Sequence, residues 1–126
     1  MKKILVIDNQ PVLLKLMSDL LKRQGHQVIS AKDGLSALDV LKTFIPDVIF
    51  VDLVMPNISG DKLCPIIRSN PKFNDVYIVI ISAIAAEEKI NITEIGADAC
   101  IAKGPFDKMS EHVLGVLEQS DKKTLN

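Results

Sequence analysis

The chain predicts an α/β fold, a parallel sheet wound on both faces by helices, and three observations carry that expectation. Five short blocks rich in Ile and Val recur along it. They are continuous rather than alternating, as strands covered on both faces are. Between them lie segments of helical spacing with short connections, and parallel neighbours need crossover helices that are nearly always right-handed. The length of 126 residues suits a single core.

The first strand is "ILVI", residues 4–7, and it ends on Asp8 and Asn9. Pro11 suits the first turn of the following helix, Leu13, Leu16, Met17, Leu20 and Leu21 form its apolar stripe, and Gly25 suits the left-handed position beyond its end. After the strand "VIS", residues 28–30, Leu35, Leu38, Leu41 and Phe44 repeat every third position until Pro46 forbids continuation. The third strand, "VIFV", residues 48–51, runs into Asp52. The helix after Gly60 holds Pro65 too deep for a first turn, which predicts a short or kinked helix. The fourth strand, "VYIVII", residues 76–81, ends at Ser82, and the fifth, "ACIA", residues 99–102, at Lys103. Met109, Val113, Val116 and Leu117 mark the last helix, which gives way to the polar "QSDKKTLN". One domain over residues 1–119 is expected, with 120–126 a frayed tail or the start of a linker.

Composition narrows the function classes. A formal charge of −1 supplies no basic field for nucleic acid or anionic membrane, so direct binding to either is not expected. The apolar run before Asp8 is only four residues long, too short for a signal peptide or a membrane span, and a soluble cytoplasmic protein is expected. Cys64 and Cys100 form no CxxC pair and have no metal-ligand spacing to His26 or His112. Two buried, reduced thiols and two solvent-exposed histidines are the economical expectation.

In an open parallel sheet, ligands bind beyond the carboxyl ends of the strands. Asp8, Asn9, Asp52, Ser82 and Lys103 would then share one rim. Asp8 could instead cap the first helix, Ser82 could be loop chemistry, and Lys103 a solvated end. Asp52 is harder to dismiss, because no helix start follows it directly. Together these types suit a phosphoryl group: a carboxylate as nucleophile, Mg²⁺ on carboxylate and carbonyl oxygens to offset its charge, an ammonium as a further cation, and a hydroxyl as donor.

Three stretches carry a family resemblance. "PDVIFVDLVMPNISG", Pro46 to Gly60, is similar to the phosphoacceptor segment of response regulator receiver domains, of the form D-x-x-x-x-D-x-x-M-P-x-x-x-G. "IISA", Ile80 to Ala83, and "GADACIAK", Gly96 to Lys103, match two further segments. The resemblance covers about residues 3 to 119, and in length the chain resembles the stand-alone chemotaxis-type regulators. It implies a flavodoxin-like fold, five parallel strands in the order 2-1-3-4-5 flanked by five helices. It further implies Asp52 as phosphoacceptor, Asp8, Asn9, Asp52 and the main-chain carbonyl of Val54 around Mg²⁺, Lys103 on the phosphoryl group, and Ser82 as its sensor. The implied partners are a sensor histidine kinase or phosphotransfer protein, and a downstream target or effector domain meeting the helix 4, strand 5 and helix 5 face. The only implied catalysis is self-phosphorylation and self-dephosphorylation.

Three positions depart from the family pattern. Asn9 stands where a second acid usually binds the metal, so weakened Mg²⁺ affinity is expected. Cys100 stands where an aromatic switch residue usually lies, which would alter coupling to the output face. Gly104 separates Lys103 from Pro105, leaving a cis bond conceivable only at Gly104–Pro105. The alternative these departures favour is a degenerate receiver that binds a partner without phosphorylation. A haloacid-dehalogenase-like phosphatase would need an acid two residues after Asp52, where Val54 stands. A dinucleotide carrier would need a glycine-rich loop after the first strand.

Overall fold

The computed structural model describes residues 1–83 and 91–124, with side chains through residue 121. Its strands are β1 (Lys3–Ile7), β2 (Gln27–Ala31), β3 (Val48–Asp52), β4 (Tyr77–Ser82) and β5 (Ala99–Ala102). The helices are α1 (Pro11–Arg23), α2 (Gly34–Val40), α3 (Gly60–Arg68), α4, described over Ile92–Ile95, and α5 (Phe106–Thr124). All strand pairs are parallel, in the order β2-β1-β3-β4-β5, as expected. No helix among the described residues is long and apolar enough to cross a membrane.

Two apolar layers sandwich the sheet, because alternate side chains of each strand face opposite sides. Leu5, Ile7, Ile49, Val51, Ile78 and Ile80 face the layer that includes Ala37, Leu63 and Ile67. Ile4, Val6, Val48, Phe50, Val79 and Ile81 face Met17, Leu21, Met109, Val113 and Leu117. This two-sided cover explains the unbroken apolar runs of the central strands.

The elements depart from expectation in a few places, each with a local cause. Helix α2 stops at Val40, and the chain goes on in turns in which Lys42 N–H donates to Asp39 O and Thr43 N–H to Val40 O. Thr43, Phe44 and Ile45 are poor helix formers, and Pro46 disfavours helical backbone before it. Helix α3 is short with Pro65 inside, as expected, but it is followed by an unanticipated 3₁₀ turn at Pro71–Phe73 capped by Asn70. Helix α5 runs on to Thr124, past the point where the polar tail was expected to begin, and Ser120 is buried in it. Every described peptide bond is trans, Gly104–Pro105 included.

Two burial expectations need correction. Cys64 is buried but Cys100 is exposed. On the edge strand β5, Ala99 and Ile101 face the α1 and α5 layer, so Cys100 points to the other side. His26 is half-buried rather than free on the surface, because it lies in the turn from α1 to β2 and its Nδ1 accepts the Lys2 backbone N–H at 3.1 Å. The Lys2 ammonium in turn pairs with Asp121 of α5. This cluster sits at the amino ends of the strands.

Candidate functional site

Three side chains meet at the carboxyl edge of the sheet. Asp8 follows β1, its backbone N–H donating to Ala31 O at 3.1 Å while its Oδ1 accepts the Gln10 N–H at 2.8 Å. The cap of α1 is Gln10, not Asp8, so the helix-cap alternative does not describe this acid. Asp52 ends β3, and its neighbour Leu53 is held by a bond from its N–H to Ile81 O at 2.9 Å. Both acids are inaccessible, Asp8 at 2% and Asp52 at 4% exposure. Lys103 follows β5, its N–H donating to Ser82 O at 2.9 Å. Its ammonium lies 3.2 Å from Asp8 Oδ2 and 3.1 Å from Asp52 Oδ2.

One cation therefore serves two buried carboxylates, which leaves the cluster one negative charge in excess. Burial, and then the charge of Asp8, push the Asp52 carboxyl above its ordinary range, opposed by Lys103 and by a hydrogen bond from the Val54 backbone. Ser82, buried, ends β4 on the same edge, one position beyond Ile81, the register partner of Asp52. Asn9 is exposed at the rim, where with Val12, Leu16, Lys103 and Phe106 it lines an open cleft of about 640 Å³. Cys100 is not part of this edge; it pairs with Ile80, and the free edge of β5 borders a separate groove with Glu111, His112 and Gly115 of α5. On the face of α4, β5 and α5, Glu94, Lys108, Glu111 and His112 are exposed, while Glu87 and Glu88 lie outside the described residues.

The loop from β3 to α3 is built by close approaches. Gly60 N–H donates to Leu53 O at 2.8 Å, and a Cβ on Gly60 would stand 2.6 Å from Asp52 O, so no side chain fits there. Asn57 takes the left-handed conformation, φ 70°, which its short amide tolerates. Ile58 packs against Gly34 of α2, a contact the sequence does not announce; the one local signal is the Asp33-Gly34 dipeptide that opens α2.

The donor set suits a hard cation. Two carboxylates, the Asn9 amide and main-chain carbonyls offer oxygen alone, and Mg²⁺ takes one or two carboxylates with water and phosphate oxygens. Among the described residues no three His, Cys, Asp or Glu side chains converge as a metal site.

Residues 4–113 match the response regulator receiver domain. The chain belongs to that family. Among the relatives of this receiver domain is Protein PilG of Pseudomonas aeruginosa, 32% identical over 117 residues that cover 92% of this chain and 84% of PilG. Chemotaxis response regulator CheY4 of Vibrio cholerae is similar in structure, with a TM-score of 0.86 at 25% identity, covering 95% of this chain and 98% of that one. Response regulator TrrA of Thermotoga maritima, solved in complex with Mg²⁺ and BeF, has a TM-score of 0.75 at 29% identity, covering 91% and 98%. The receiver domain spans about half the length of the probable transcriptional regulators it also matches. Receiver domains act in two-component signalling, bind Mg²⁺, and interact with histidine kinases or phosphotransfer proteins and with effector domains.

Proposed function

We propose that this receiver domain is a phosphorylation-dependent switch whose Asp52 accepts a phosphoryl group from a histidine of a sensor kinase or phosphotransfer protein. The observation that carries this reading is the buried Asp52 carboxylate at the end of β3 with the Lys103 ammonium 3.1 Å away. An Asp52 oxygen attacks phosphorus, the P–N bond breaks as the P–O bond forms, and its electron pair stays on the imidazole. The product is an acyl phosphate, later hydrolysed by water at the same site. Lys103, beside Asp52, would meet the phosphoryl oxygens, and the Ser82 hydroxyl would donate to one of them. Asp8, Asn9, Asp52 and the Val54 carbonyl would hold Mg²⁺, which would supply positive charge to offset that of the phosphoryl oxygens. With Asn9 in place of an acid, the affinity for that ion is weakened. A cytoplasmic location follows from this role, and the output partner meets the α4, β5 and α5 face.

A second reading, phosphorylation-independent binding of a partner, is favoured by the missing charge at Asn9 and by the Cys100 thiol where a ring would couple Ser82 to the output face. Intact mass after incubation with acetyl phosphate and Mg²⁺ separates the two. One added phosphoryl group is expected, lost in Asp52→Asn; no adduct at any accessible Mg²⁺ concentration overturns the switch.

A further inference from the structure

We infer that the turn from β2 to α2, residues 31–34, is a positioning element of the acidic pocket: Ala31 holds the Asp8 segment, and Gly34 seats the loop that follows Asp52. The inference rests on the proposed use of that pocket but concerns residues that place no side chain in it.

Gly34 is buried at the first position of α2, whose start is fixed by Asp33 Oδ1 accepting the Ser36 N–H at 2.8 Å. A Cβ at Gly34 would lie 2.9 Å from Ile58 Cβ and 3.5 Å from its Cγ2 and Cδ1. The Ile58 Cβ is rigidly attached to the main chain, so a rotamer change cannot relieve that contact; the loop itself must move. At its two ends this loop is anchored by Leu53 N–H to Ile81 O and by Gly60 N–H to Leu53 O. Between the anchors stands Val54, 64% exposed. The turn around Asn57 and Ile58, closed by Ile58 N–H on Pro56 O at 2.9 Å, rests on Gly34. On the other side of the same turn, Ala31 O accepts the Asp8 N–H. One four-residue turn thus touches both segments that line the pocket, and misplacement of oxygen ligands by a fraction of an ångström is costly for metal and phosphoryl chemistry.

Gly34→Ala tests this. Backbone amide spectra should show shifts across Val54–Ile58, and the Mg²⁺ dissociation constant should rise roughly tenfold, with phosphoryl uptake from acetyl phosphate slowed in proportion. Adding Ile58→Gly, which removes the opposing Cβ, should bring amides and Mg²⁺ affinity back toward the parent, a rescue that a general loss of stability would not give. If Gly34→Ala does not fold, Ile58→Ala, which keeps the Cβ but removes Cγ2 and Cδ1 from the seat, should move the same amides. A folded Gly34→Ala with parental Val54–Ile58 amides and parental Mg²⁺ affinity overturns the inference, as does a double variant no closer to the parent than the single one. A parent that binds Mg²⁺ yet takes no phosphoryl group would sink the switch reading alone, since the amide and metal arms still decide the positioning role.

Discussion

Asp52 is a group that the fold holds against its own preference. Its carboxyl titrates above the ordinary 3.8 because burial and Asp8 disfavour the charged form more than Lys103 favours it. The folded chain therefore binds this proton more readily than the unfolded chain does. Its contribution to stability is present below the ordinary value and is lost as the pH rises through the folded one, so at neutral pH the ionised acid costs stability. Asp52→Asn is expected to raise stability at pH 7 by about 1 kcal/mol, or about 4 °C in melting temperature. Calorimetry should show that gain shrinking toward pH 4. At this scale the sequence was legible wherever an apolar run ended on a polar residue: Asp8, Asp52, Ser82 and Lys103 all lie on the edge where the run lengths place them. The seat of Ile58 on Gly34 was not legible, because a steric contact between a loop and a distant helix start leaves no periodicity. Cys100 was misjudged because an apolar run implies two covered faces, and an edge strand need not have both.

Among the elements, α3 is short, and Arg68 in its last turn ties it to its surroundings. Its Nε donates to Gly96 O at 2.8 Å, one Nη to Phe73 O at 2.7 Å, and the other to Asp98 Oδ2 at 2.9 Å, an oxygen that also accepts the Ile78 N–H. One guanidinium thus joins α3, the 3₁₀ turn, the start of β4 and the turn into β5. Arg68→Met keeps much of the stem's packing but removes the guanidinium's hydrogen bonds, and should cost about 3 kcal/mol in denaturant unfolding. A loss under about 0.5 kcal/mol would mean that the bonds are no better than those to water. Strands were easier to place than helix ends. Ile and Val runs record two-sided cover directly, whereas the end of α2 depends on weak propensities and the 3₁₀ turn on a single Asn70 cap.

For the whole molecule, the cluster at the amino ends of the strands sets an acid limit. His26 can accept the Lys2 N–H only while its Nδ1 is bare, and desolvation, the N-terminal amine and Lys2 hold its pKa below 6.5, with Asp121 pulling the other way. A base depressed in the folded state contributes stability above its unfolded value and loses it as the pH falls through the folded one. The melting temperature should therefore drop more steeply below pH 6.5 in the parent than in His26→Gln, as thermal scans from pH 7 to 5 would show. The neighbouring pair between Lys2 and Asp121 joins positions 119 apart in the chain. So long a loop closes at a high entropic cost and contributes little until nearly everything between is in place. The clasp thus belongs to the final moments of folding. Asp121→Asn should leave the refolding rate unchanged while quickening unfolding, so that in stopped-flow traces the pair acts as a brake on opening rather than a guide to assembly.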